Sequence, residues 1–266
     1  MNAVNNLLEK GNWYGKCDPS GDIASLRAAL AEASTETDTA QIITELFKLG
    51  DFTAKDILIQ RMNSTKNENM MNAYIRLFCL VASHQDLLKI ENLAFLSDLS
   101  EQNADTFASS AVHTLSYEAV PYLLAMLDEW EDTNVEETIR NSLDIFLNYS
   151  DELDEDAAVD EIGQFYLDLM KKVDVNQYYY YSTPVFPAPL AKKLIEKSAA
   201  SRHEQAPLGT HLIPSLLSVW SGILCPIEYN TVVDDRLLDG VYHYVQALSE
   251  MDWEAGVKYF YGHPIV

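Results

Sequence analysis

Glu118-Ala119-Val120-Pro121-Tyr122-Leu123-Leu124-Ala125-Met126-Leu127, then Asp128 to Asn134, then Val135-Glu136-Glu137-Thr138-Ile139-Arg140-Asn141-Ser142-Leu143, is the stretch that decides the fold. It reads as two helices joined by an acidic turn. Thr133 and Glu136 have the spacing of a capping box, which starts the second helix by satisfying backbone N–H groups that have no partner within it. Outward from this unit the apolar residues keep a helical rhythm, interrupted by short polar stretches. Upstream, Ile23, Leu26, Leu30 and Ala33 form one stripe, and Ile43, Leu46, Phe47 and Leu49 a second, which Gly50 ends. Thr53 with Asp56 opens a unit whose second helix carries Met71, Tyr74, Ile75, Phe78 and Ala82. Ser83 with Asp86 opens another, whose partner helix sets Ala104, Phe107, Ala108, Ala111, Val112 and Leu115 on one face.

Units begin at Ser20, Thr53, Ser83 and Ser116, spaced by 33, 30 and 33 residues, with a longer step of 38 to Asp154. A two-helix unit of this size cannot close a core alone, so neighbours stack and share one. Only ten glycines and nine prolines in 266 residues, with 48% hydrophobic content, also favour helices over a turn-rich β fold. The expected class is all-α, a solenoid of stacked helical hairpins. A bundle of hairpins of similar length is the competing arrangement. The unit from Glu118 to Leu143 resembles a HEAT repeat: an apolar-Pro-x-Leu-Leu start, an acidic turn and a Val-led second helix. The other units share the pattern without the motif. HEAT repeats commonly carry Arg directly after the Val, where this chain has Glu136, and Arg140 one turn later is the residue placed to replace it.

Beyond Val173 the texture changes. Asn176-Gln177-Tyr178-Tyr179-Tyr180-Tyr181-Ser182-Thr183-Pro184-Val185-Phe186-Pro187-Ala188-Pro189 contains three prolines in six positions and cannot be regular helix throughout. Helical pattern resumes at 190–199, 212–223 and 232–248. The aromatic end, Trp253 through Tyr259-Phe260-Tyr261-Gly262-His263-Pro264, is expected to pack back on the array. The division falls near residue 175, between a repeat array over 1–175 and a proline- and tyrosine-rich junction with an irregular helical cap over 176–266.

The formal net charge is −23, and sixteen acidic residues stand against three basic ones between Asp128 and Asp174. Such a surface repels nucleic acid and anionic membranes over a screening length of about 8 Å and attracts a basic partner. Acidic surfaces also serve solubility alone. No segment approaches the roughly 18 apolar residues of a membrane span, and the start has no secretory pattern. Cys17, Cys79 and Cys225 are widely spaced and odd in number, which fits reduced thiols in a cytoplasm.

Catalytic and metal constellations are weak. Counted as a calcium loop from Asp151, the sixth position is Asp156 rather than Gly and the twelfth Ile162 rather than Glu. His203-Glu204 and His211 lie eight residues apart across Pro207 and Gly209, twice the zincin interval. There is no nucleophile elbow and no phosphate-binding glycine loop. The expectation is a protein that is not an enzyme and takes no cofactor or metal.

A very acidic, HEAT-like helical chain with no catalytic signature resembles the immunity proteins of bacterial polymorphic-toxin systems. That resemblance implies binding to a cognate toxin domain, often basic, and occlusion of its active site, by a cytoplasmic protein that takes neither nucleic acid nor membrane. The contact residues expected from the acidic strip and its aromatic neighbours are Trp130, Glu131, Asp132, Glu136, Glu137, Asp151, Glu152, Asp154, Glu155, Tyr179 and Tyr181. Tyrosine in the 178–181 run serves equally well as packing or as contact area. Two other readings stay open: an interaction scaffold with no toxin partner, and a helical-repeat enzyme or lyase using Cys79 or Cys225.

Overall fold

The computed structural model describes residues 22–154, 156–210 and 212–265, and the chain is mostly helical. Ser20, Cys17, Glu155 and His211 lie outside the described residues. Helices α1 (Ile23–Glu32) and α2 (Glu36–Lys48) pack together, as do α3 (Lys55–Ser64) and α4 (Glu68–Val81). The short α5 (His84–Leu88) precedes α6 (Glu101–Ala111), and α7 (Val120–Glu129) pairs with α8 (Asn134–Leu147). Six of these eight helices start at a polar side chain that accepts backbone N–H groups: Asp22, Thr35, Asn67, Ser83, Ser100 and Thr133. Ser83 and Asp86 close a full capping box, as their spacing indicates. At Thr133 the box does not close. Its hydroxyl accepts the Val135 N–H, but the Glu136 carboxylate turns instead to the N–H of Asp132 and to Arg140.

The second helices α2, α4, α6 and α8 lie side by side in chain order. Their facing sides are apolar, and the stripe expected from Ala104 to Leu115 is buried throughout. Polar groups between neighbours are bonded across the rows, which removes the cost of burying them. Asn103 Nδ2 donates to Asn72 Oδ1 at 2.6 Å, Thr138 Oγ1 to Asp105 at 2.7 Å and Ser142 Oγ to the Ala108 carbonyl at 2.8 Å. The unit beginning at Ser83 departs from a helix pair. After α5 the chain runs as a 3₁₀ segment, Ile90–Asp98, held by Asn63, whose side chain bonds the carbonyl of Asn92 and the N–H of Phe95.

Downstream, α9 (Val159–Met170) leads to a hairpin of β1 (Tyr179–Tyr180) and β2 (Thr183–Pro184). Next, α10 (Pro187–Glu204), α11 (Leu212–Ser221) and α12 (Asp235–Ser249) lead to a second hairpin, β3 (Tyr259–Phe260) and β4 (His263–Pro264). The expected irregular cap is therefore organised. The second half repeats the element order of α7, α8, α9 and β1–β2, and the hairpins match residue for residue at a distance of 80: Tyr179, Tyr180, Tyr181, Ser182, Thr183, Pro184 and Val185 against Tyr259, Phe260, Tyr261, Gly262, His263, Pro264 and Ile265. The bonds repeat too. Each first-strand tyrosine hydroxyl accepts the N–H five residues earlier, from Asp174 or Glu254. Both turns run through positive φ, at Tyr181 and Ser182 and at Tyr261 and Gly262. The N–H of Tyr181 meets the Ile145 carbonyl at the end of α8, and that of Tyr261 meets Val219 at the end of α11.

The two hairpins are stitched together, Tyr178 N–H to the Gly256 carbonyl and Gly256 N–H to that of Val185. Together they cover helix ends in the first half. Tyr179 N–H donates to Leu115 beyond α6, Phe260 packs edge-on against Phe47 of α2, and His263 sits against Gly50. Two apolar clusters result, one centred on α2 to α8 and one on α10 to α12, and each hairpin contributes side chains to both.

Candidate partner-binding surface

The acidic residues flank α8. Glu131 and Asp132 stand in the turn before it and Glu136 and Glu137 in its first turn, where the helix dipole favours negative charge. Asp151 and Glu152 follow its other end. The 14 residues of α8 separate the two groups by about 20 Å at 1.5 Å rise per residue. Between them the chain returns beside the helix, because Arg140 Nη1 donates to the Ala157 carbonyl at 2.9 Å.

Glu131, Asp132, Glu137, Asp151, Glu152 and Asp154 are exposed, and among the described residues no lysine, arginine or histidine pairs with them. Among the described residues Asp151 accepts from the Asn148 side chain alone. Glu136 is different. It is half-buried, bonded to Arg140 at 2.7 Å, and that hydrogen bond holds its carboxyl below the usual range, so its charge is neutralised internally rather than offered to a partner. Glu155 falls outside the described residues. Trp130 ends α7 half-buried against the core, leaving only part of its ring at the surface.

The two tyrosines separate. Tyr179 is 6% exposed, stacked on Tyr117 at 5.0 Å with its hydroxyl bonded to Asp174, so its ring belongs to the interior and the contact role expected of it is withdrawn. Strand alternation explains why: Tyr179 and Tyr180 point to opposite faces. Tyr181 is 38% exposed at the turn, with the Lys193 ammonium 5.7 Å from its ring centre.

The two thiols open to lyase chemistry, Cys79 and Cys225, are buried. Burial pushes the Cys79 thiol up to about 12 and Cys225 up to about 11, so both are protonated at neutral pH. Among the described residues no three His, Cys, Asp or Glu side chains gather as metal ligands. No helix among them is long and apolar enough to cross a membrane. What the sequence reading missed is Lys258, which is 1% exposed and donates to the carbonyls of Cys79 at 2.9 Å and Ala82 at 3.0 Å. The signal was present in the recurrence of Tyr-aromatic-Tyr-x-x-Pro-aliphatic, which puts Lys258 at the position of Tyr178.

No curated protein and no solved structure matches the chain. The sequence profile of the family described as immunity protein 47 matches residues 8–265, nearly its whole length. The chain therefore belongs to the immunity protein 47 family.

Proposed function

We propose that this immunity protein neutralises a basic cognate toxin domain by covering its active site, and that the exposed carboxylates flanking α8 are the surface that attracts it. The observation that carries the reading is the set of acids at Glu131, Asp132, Glu137, Asp151, Glu152 and Asp154 at the two ends of one helix, unpaired among the described residues. Crowded carboxylates repel each other, so leaving them unpaired favours a role in capture, where opposite charge raises the association rate. Family membership supplies the toxin partner, and the density of acids supplies its expected sign. On this reading the row α2, α4, α6, α8 acts as a HEAT-like solenoid, the division near residue 175 separates array from cap, and the protein works in the cytoplasm as a binder rather than a catalyst.

The test is growth of cells producing the cognate toxin domain. Co-production of the wild-type protein restores growth. A variant with Glu131, Asp132, Glu137, Asp151, Glu152 and Asp154 all changed to Lys restores it poorly at equal protein level. Full rescue by that variant rejects the acidic flank as the binding surface.

A further inference from the structure

A buried joint between the hairpin pair and the first half of the chain gathers titratable groups that the acidic flank does not use. Lys258 enters it from the second hairpin, with its Nζ on the carbonyls of Cys79 and Ala82 at the end of α4 and 5.9 Å from the ring centre of Tyr178. Tyr178 stacks on the His84 imidazole of α5 at 4.1 Å. His84 Nδ1 lies 2.7 Å from Ser116 Oγ, and its Nε2 is buried with no hydrogen-bond partner among the described residues. His113, just past α6, has its Nδ1 3.3 Å from the Ser110 carbonyl. Arg76 of α4 and Lys55 of α3 add positive charge to these surroundings. The carboxylate acting on Lys258 is Asp86 of α5, and it is already bonded to Lys55 at 2.7 Å and to the Ser83 N–H at 2.8 Å.

With Ser116 on one nitrogen and nothing on the other, a second proton on His84 would bury a cation with an orphan N–H. It would do so beside a lysine ammonium, in a medium where like charges repel more strongly than in water. We infer that this joint is an acid-opened latch: protonation of His84 and His113 next to Lys258 lifts the two hairpins off the ends of α4, α6 and α8 while the helical row stays folded.

Burial holds both imidazoles down to about 4, against 6.5 when free, and the Lys258 amine down to about 7. The released state thus binds protons that the closed state refuses as pH falls from 6.5 toward 4, so acid favours release. The hairpins yield before the row because they lie at the edge of the apolar core and give it only a few side chains, Tyr179, Phe260, Tyr261 and Ile265, whereas the second helices supply most of it.

Hydrogen exchange of the full chain, from about pH 7.5 to about 4.5 with rates corrected for intrinsic chemistry, tests the latch. The amides of Tyr179 and Tyr181, which bond to the carbonyls of Leu115 and Ile145 across the joint, are expected to lose about tenfold protection at a higher pH than those of Ile75 and Phe107 in the row. His84→Phe keeps a ring against Tyr178 and removes the titration, so the hairpin loss moves to lower pH. Should that variant fold poorly, His113→Gln carries the same expectation. Simultaneous loss at hairpins and row, or an unmoved hairpin midpoint in the folded variant, overturns the latch.

Discussion

Arg140 donates to the Glu136 carboxylate one turn back at 2.7 Å and, through another nitrogen, to the carbonyl of Ala157. One guanidinium thereby fastens the first turn of α8 to the segment that returns beside it, and with it the exposed acids from Asp151 to Asp154. Arg140→Ala leaves the Ala157 carbonyl without this donor and the half-buried Glu136 carboxylate with only the Asp132 N–H, and is expected to destabilise the fold by about 1–2 kcal/mol. Lysine restores little, since a single ammonium does not reproduce the planar fork. Urea unfolding of the three proteins at neutral pH measures the difference.

Lys258 gives a stability that depends on pH. Its amine is neutral in the fold above about 7 but charged in the unfolded chain up to 10.5, so the unfolded state binds the extra proton between those values and wild-type stability rises with pH there. Relative to Lys258→Met, the wild type should gain about 2 kcal/mol between about pH 7 and pH 9, since each pH unit is worth at most about 1.4 kcal/mol. Urea midpoints of both proteins at the two pH values give the slope. A constant difference would place the amine outside the buried joint.

Gly50 tests whether the second hairpin seals the end of α2. Its φ is +78°, and a Cβ there would lie 2.7 Å from the ring of His263. Gly50→Ala pays both backbone strain and a clash, with an expected loss of about 2 kcal/mol. His263→Ala in the same background should recover the part due to the clash, which a thermal-unfolding cycle of the four proteins separates.

The helical row was legible because its signals are local. Ser83 with Asp86 and the stripe from Ala104 to Leu115 state their structure within a dozen residues. The second half was not, since its organising feature is a match between residues 80 apart, and 178–189 taken alone shows only that regular helix cannot run throughout it. The acidic flank was legible as composition, but not which acids are free. Thr133 and Glu136 fit a capping box in sequence, and only the fold brings Arg140 and the positive-φ N–H of Asp132 within reach of Glu136. Likewise the tetra-tyrosine hid two buried rings, Tyr178 and Tyr179, and one exposed ring, Tyr181, because a turn decides which face each residue takes.

The most direct test of electrostatic capture is the association rate constant of the protein with its cognate toxin domain, measured by stopped flow at low and high salt. The wild type is expected to associate about 10–100 times faster at low salt. Changing Glu131, Asp132, Glu137, Asp151, Glu152 and Asp154 to Lys should abolish most of that salt dependence while the circular dichroism stays helical. A rate unchanged by these substitutions and by salt would contradict the account.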